Sequence, residues 1–429
     1  MTAADAPHHV ITDAERRALI AHRHRLLPER RTDDVVEIVR SLVALHSSDP
    51  VSVYLSVLTR MRNPDIKAVE EALYESRSIV RHHAMRRTLW VTTPDMARTV
   101  HAAATRKVAA AERRKTIRFL GENGIEDPEA WLDAARERVV ATLREHGPMT
   151  ARELGQRVPE LTRPLRLAPG KPYAATQAAH TRVLAGLGFD GVLVRGRPSG
   201  SWVNSQYTWS LMEDWVEGGL DGEDERTAAR DLARAWLACF GPGTTTDLQW
   251  WAGWTLATTR RALADCGAVE VQLESGPGWA LPEDAPAAYD GSSAPREEPP
   301  ERGGSPGRGG SPGRGGSPGR DDAPWVALLP GLDPTVMGWK ERGFYLPEEA
   351  APAWDRNGNA GPTVWVDGRV VGAWARTDDG EIRLHWFLDV PAERRAEVEE
   401  RARELGSWVG RTRFSVRFPG AIHATLVGR

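Results

Sequence analysis

Two short stretches, Gly147-Pro148-Met149-Thr150 and Gly241-Pro242-Gly243-Thr244, open alike and are followed by the same run of signals. A recurring opening confines the chain to repeated supersecondary units. Upstream of the first, residues 129–146 trace one apolar stripe at helical spacing through Leu132, Val139, Val140 and Leu143. Asp127 caps this helix, Pro128 suits its first position, and Gly147 stops it. Thr150 and Glu153 make a capping box for a second, short helix. The pattern predicts a third helix over 174–187, then two strand-like runs at 191–195 and 203–211 around a tip at 196–201. Downstream the order returns. A helix over 227–240 is followed by a Thr244–Asp247 cap, a helix over 255–266, and strand runs at 269–273 and 278–281. Helix, short helix, helix and two-stranded wing is winged-helix order. The N-terminal stretch reads the same way more loosely, with helices at 13–26, 33–46 and 63–76 and a hairpin over 79–92. Residues 107–119 read as a connecting helix.

Three copies of Gly-Gly-Ser-Pro-Gly-Arg fill 303–320. A segment without apolar residues cannot offset its ordering entropy and reads as a tether. Beyond it, residues 324–388 alternate strand runs with turns, and Asp367-Gly368 is a strong hairpin signal. A helix over 392–408 and a final strand over 412–418 close the chain. The expected class is α+β: three tandem winged-helix domains (1–125, 126–222 and 223–291), a linker (292–323) and a β-rich, barrel-like C-terminal domain (324–429).

Hydrophobic residues make up 41% of the 429 residues, enough for packed cores. No apolar run approaches the ~20 residues of a membrane helix, and Met1–Val10 is polar, so a cytoplasmic protein without a membrane partner is expected. Two cysteines, Cys239 and Cys266, make no disulfide framework or zinc site. No cofactor or metal is expected, and a monomer is. The net charge of −3 does not announce nucleic-acid binding, but local distribution matters more than the sum. A winged helix meets DNA through its third helix and its wing. In the second module these carry Gln177, His180 and Arg182, then Arg195 and Arg197, with Trp202 behind as a stacking ring. The segment Leu45-His46-Ser47-Ser48-Asp49-Pro50 joins two helices. Asp49 before Pro50 reads as an N-cap, and His46 beside it makes a plausible water-activating pair.

This segment, with Tyr54-Leu55, Arg81, Met85-Arg86-Arg87-Thr88-Leu89, Leu328-Leu329-Pro330-Gly331-Leu332-Asp333-Pro334 and Arg356-Asn357-Gly358-Asn359-Ala360-Gly361, resembles the bacterial winged-helix DNA glycosylases related to AlkZ and YcaQ. The resemblance implies removal of bulky alkylated bases and unhooking of interstrand crosslinks, with double-stranded DNA as partner. Family members carry Gln-x-Gln or Gln-x-Asp where this chain has His46-x-Ser48. Carried over, His46 and Ser48 take the catalytic positions, and Asp49 is the expected strong acceptor. Arg81, Arg86 and Arg87 join the DNA-binding set. The alternative is a non-catalytic DNA-binding or regulatory protein on the same scaffold. Deleting 303–320 should leave stability within about 0.5 kcal/mol, as for surface changes away from packed features; thermal unfolding of the shortened chain is the check.

Overall fold

The computed structural model describes residues 9–171, 174–285 and 324–428. The Gly-Gly-Ser-Pro-Gly-Arg repeats and the whole of the linker segment lie outside them. The class is α+β, as expected.

The two repeats have the predicted starts. Helix Pro128–His146 has its N-cap at Asp127. Helix Ala151–Arg157 carries the Thr150–Glu153 capping box, and Thr245–Ala252 the Thr244–Asp247 box. Each repeat ends in an antiparallel strand pair, Leu193–Pro198 with Tyr207–Leu211 and Val269–Leu273 with Gly276–Ala280. Short strands complete two three-stranded sheets: Met149–Thr150 in the first, and Val10–Ile11, running parallel, in the second. The N-terminal region makes a third, from Leu45–His46, Leu89–Thr92 and Val80–His83.

Four expectations need correction. The helix predicted over 33–46 stops at Ser41, and Leu45–His46 is a strand. The helix predicted over 174–187 begins only at His180, and Ala175–Ala178 pairs instead with Pro164–Leu167 as a hairpin. Apolar spacing alone could not separate the β-hairpin arm from the helix that follows it. The C-terminal strands form an open four-stranded antiparallel sheet, Val326–Leu329, Thr363–Val366, Arg369–Arg376 and Ile382–Trp386 in that order, with no barrel closure. Helix Ala392–Val409 contacts both edge strands and so lies across the sheet. Residues 412–418 pair with no strand. The Asp367-Gly368 turn is as read, with φ of 47° and 81°, which only a primed turn accommodates.

The packing has a feature that periodicity could not show. One core joins Ile20 and Leu26 to Leu232, Trp236 and Trp251 and to Trp339 and Trp365. A second joins Ile38, Tyr54 and Leu58 to Leu328, Val364, Trp374 and Leu405. The C-terminal region therefore shares its cores with the N-terminal one. A third core, from Leu120 to Leu211, joins the end of helix Arg106–Glu122 to the second repeat.

Helix Pro50–Leu58 is the seam. It is buried along its whole length, and its polar side chains are met by the segment after Val326–Leu329. Ser52 Oγ donates to the Gly331 carbonyl at 2.5 Å and Ser56 Oγ to Asp333 at 2.6 Å. Arg60, just beyond, donates to both Asp333 oxygens at 2.9 and 2.8 Å and to Thr335 Oγ1 at 2.7 Å. Both partners of this pair are fully buried. Burial pushes the Asp333 carboxyl up, but Arg60, Ser56 and the Thr335 amide together hold it below its ordinary value. Asp333→Ala leaves an unpaired buried guanidinium, and breaking such a pair costs about 3–5 kcal/mol. We expect a loss of that size in denaturant unfolding; separately, the wild type should lose stability as pH falls through the depressed Asp333 pKa.

Candidate active site and nucleic-acid interface

The loop His46–Asp49 is fixed from three sides. From below, Arg81 is fully buried; its Nε donates to Ser47 Oγ at 2.9 Å and its Nη1 to Tyr74 Oη at 2.7 Å. The Tyr207 ring lies 4.7 Å from its guanidinium carbon. Arg81 thus cannot reach a phosphate, and its expected DNA contact is replaced by a hold on the loop. From the C-terminal side, Asp49 caps helix Pro50–Leu58 through Oδ1, which accepts from Val51 N at 3.1 Å, while Oδ2 accepts from Arg417 N at 3.0 Å. Asp49 is only 3% exposed. Both of its oxygens are used in holding backbone, so the expected acceptor for water is a structural clamp. Burial raises its pKa, partly offset by the Arg417 and Val51 amides.

His46 completes the loop. Its ring meets Trp90 edge to face at 4.9 Å and retains 9% exposure. Ser48 N donates to its Nδ1 at 3.4 Å. That nitrogen is therefore an acceptor, and the proton of the neutral ring sits on Nε2. Burial, aided by the Arg86 charge, lowers its pKa to about 3. A ring held neutral with Nδ1 occupied is a donor and a weak base. Ser48, half-buried, has its carbonyl taken by Arg417 Nη1 at 3.2 Å.

Arg86 reaches this ring through a strained turn. Arg86 and Arg87 have φ of 55° and 62°, a conformation costing roughly 1–2 kcal/mol per residue for side chains with a Cβ. The turn lays Arg86 over the Trp250 ring at 4.1 Å and sends Arg87 outward, where it approaches Glu112 at 3.6 Å.

The remaining DNA-binding candidates divide. Arg87 and Arg182 line a groove of about 1270 Å³ together with Lys115, Arg163 and Arg166, beneath the Pro164–Ala178 hairpin. His180 and Arg195 line a second groove of about 1110 Å³ with Arg152, Gln206 and Tyr207. Arg195 lies between the Tyr207 and Trp209 rings, and burial lowers its pKa to about 10. Gln177 sits on the hairpin, not on a third helix. Arg197 is bound to Glu75 at 2.7 Å, faces Glu70 at 3.6 Å and stacks on Tyr74, so its half-exposed charge is paired on helix residues of the first module. Trp202 is 6% exposed, packed on Tyr54 at 4.9 Å and Phe414 at 6.3 Å, and is a core ring, not a stacking platform. His46 lines neither groove. Among the described residues no cluster of His, Cys, Asp and Glu could hold a metal ion, and no helix is long and apolar enough to cross a membrane.

Sequence reasoning missed Arg417, Tyr207, Ser47 and Tyr74. Only Arg417 had a signal in the chain: from Leu405 to Arg429 there are four arginines and no acidic residue.

The structure thus sets a buried loop at the start of helix Pro50–Leu58 and, apart from it, two grooves lined by arginines on a repeated helix-and-hairpin scaffold. The family described as DNA glycosylase AlkZ-like matches residues 39–408, and the chain belongs to it. The solved structure of Streptomyces sahachiroi DNA glycosylase AlkZ is similar, with a TM-score of 0.65 and 22% identity, over 94% of this chain and 98% of that one. At that identity the likeness speaks for the fold. No curated protein matches the chain in sequence.

His46 should stay neutral through the physiological range, its NMR ring signals flat from about pH 8 to 5, where an ordinary His titrates. His24 and His82 are lowered to about 3 as well, chiefly by burial. A His depressed on folding contributes fully above its unfolded pKa of about 6.5 and loses that contribution as pH falls toward the folded value. Unfolding free energy should therefore drop from about pH 6.5 downward, measured in urea.

Proposed function

We propose that the chain is a monofunctional DNA glycosylase that hydrolyses the N-glycosidic bond of bulky N7-alkylpurines, with unhooking of interstrand crosslinks as an extension of the same reaction. Three winged-helix modules, 1–125, 126–222 and 223–291, would form the DNA-facing body, with 324–429 packed against the first and third. Family membership supports the reaction class. The observation that carries the residue-level reading is the His46 ring, held neutral with its proton on Nε2 beside the half-buried Ser48.

An N7-alkylated guanine is cationic and leaves C1′ readily. As the C1′–N9 bond breaks, its electron pair neutralises the purine. Water then bonds to C1′ and gives its proton to solvent. The protein need only place that water and steady the oxocarbenium ion. A neutral His46 donates from Nε2 to the water oxygen and orients it. Ser48 Oγ accepts a water hydrogen. Neither step needs a strong base, which agrees with a ring whose pKa is far below neutrality. Asp49 holds the loop and takes no part.

The engagement of both Asp49 oxygens favours a second reading, a non-catalytic DNA-binding protein on the same scaffold. Incubation with duplex carrying an N7-alkylguanine, scored for abasic sites, decides. The expected outcome is excision that His46→Ala cuts by ~10²-fold or more, on the scale of one lost preorganised hydrogen-bond donor, while affinity for undamaged duplex is kept. Excision unchanged in His46→Ala removes the residue assignment. No excision by the wild type on any alkylated duplex leaves the second reading. Asp49→Asn is a poor control, because its amide would set a donor against Arg417 N–H or Val51 N–H.

A further inference from the structure

Residues 411–419 alternate exposed and half-buried: Arg411, Arg413, Ser415, Arg417 and Pro419 face water, while Thr412, Phe414, Val416 and Phe418 face the protein. Period-two alternation is the mark of an extended chain lying flat, yet this chain belongs to no sheet. It is held at both ends and in the middle. Thr412 N donates to Val409 O at 3.2 Å and Arg376 Nη2 to Gly410 O at 2.8 Å. Ala421 N donates to Trp354 O at 3.2 Å and Ile422 N to Pro352 O at 3.0 Å. Phe414 packs on Trp202, under the Arg376 guanidinium. Arg417 N is taken by Asp49.

We propose that this strap is a track for the sugar–phosphate backbone of DNA, with Arg411, Arg413 and Arg417 as its phosphate contacts, leading a strand past the His46–Ser48 loop. It rests on the reading of the chain as DNA-handling, and adds a contact surface to it.

Three observations carry it. The charge is unbalanced: a protein with net charge −3 has no acidic residue after Glu404 but arginines at 411, 413, 417 and 429. The Arg417 guanidinium donates to a carbonyl, Ser48 O, and feels the buried Asp49 charge only at a distance, in contrast to Arg197, which two glutamates hold. The spacing suits the ligand. An extended chain sets same-face residues roughly 6.6 Å apart, about two steps of the ~3.4 Å per phosphate of one DNA strand along its axis, so Arg411 and Arg413 are spaced for alternate phosphates. The place is continuous with other cationic elements. Arg417 and Arg195 both bear on Tyr207, and Arg195 opens into the second groove with Arg152 and Gln206. The strap thus leaves the C-terminal sheet, crosses Trp202 of the second repeat and the candidate loop, and returns to the C-terminal region at Trp354. An acidic protein segment would match the charge but would have no reason to follow the alternation or to pass this loop.

The test uses the full chain and undamaged duplex, with affinity read by anisotropy at a series of KCl concentrations. Arg411→Ala/Arg413→Ala leaves every contact of the loop intact. It should flatten the plot of log K against log salt by about 0.9 for each lost phosphate contact, and weaken binding roughly tenfold or more at low salt. Adding Arg417→Ala keeps the backbone amide on Asp49 and should flatten the plot further. The triple Lys variant retains charge and should recover most of the slope. Unchanged slope and affinity in the Ala variants overturn the track, as does a Lys variant that loses as much as Ala, which would mean that the guanidiniums act through packing. A wild type that binds no duplex overturns it too. Excision is scored separately, so a protein that binds through the strap but excises nothing keeps this inference while losing the glycosylase reading.

Discussion

Arg60 and Asp333 set the terms for the rest of the molecule. A fully buried ion pair is tolerated only where geometry and further hydrogen bonds replace the lost water. Here Arg60 reaches the His24 carbonyl through Nε and the Ser56 carbonyl through Nη1, besides Asp333 and Thr335. Asp333 in turn caps the short helix Pro334–Met337 through the Thr335 amide. The end of the first helix, the seam helix and the segment after the first C-terminal strand therefore meet at one charge. None can shift without uncovering it. The arrangement fixes helix Pro50–Leu58, and with it the loop at its N-terminus.

That loop inherits a limited chemical vocabulary. With Asp49 spent on two backbone amides and His46 desolvated, no group there is a strong base at neutral pH. On the proposed reading this is a constraint on substrate. A leaving group that already carries positive charge needs only a placed water, whereas a neutral purine would need protonation that nothing in the loop supplies. The proposed preference for N7-alkylated bases would then follow from what the loop lacks as much as from what it holds.

Much of the fold was legible because local rules and tertiary structure agreed. The caps at Asp127, Thr150 and Thr244 act through bonds within three residues, and the Asp367-Gly368 turn through its own φ angles. The misreadings came where distance decided. Residues 174–179 carry small, polar-apolar mixed side chains that suit a helix or a strand, and pairing with Pro164–Leu167 settles it. Residues 412–418 do alternate, as a strand should, but no neighbour offers a ladder. The sequence marks around Pro330 and Ala360 could be recognised without their reason being visible. That reason is contact: Ser52 meets Gly331, and Leu332 N donates to Ala360 O at 3.0 Å. The site was half legible. His46, Ser48 and Asp49 were found by position, but the spending of Asp49 on Arg417, 368 residues away, has no local signature. Nor has the docking of Arg197 on Glu75.

The overall charge was the least informative number of all. Many of the arginines that a composition counts as DNA-binding capital are neutralised where they stand: Arg197 by two glutamates, Arg113 by Asp133 and Glu129, Arg226 by Asp265. What distinguishes a binding surface is the set of cations left without an acid. Arg81 is such a cation but is sealed from water by Tyr74 and Tyr207. Arg195 is nearly sealed, and Arg417 is open. Ordered from inside to outside, the three form a gradient of positive charge that ends at the Ser48 carbonyl. Because the buried charges are screened little by salt and the exposed one strongly, a phosphate held there would feel an attraction that survives ionic strength better than surface arginines alone provide.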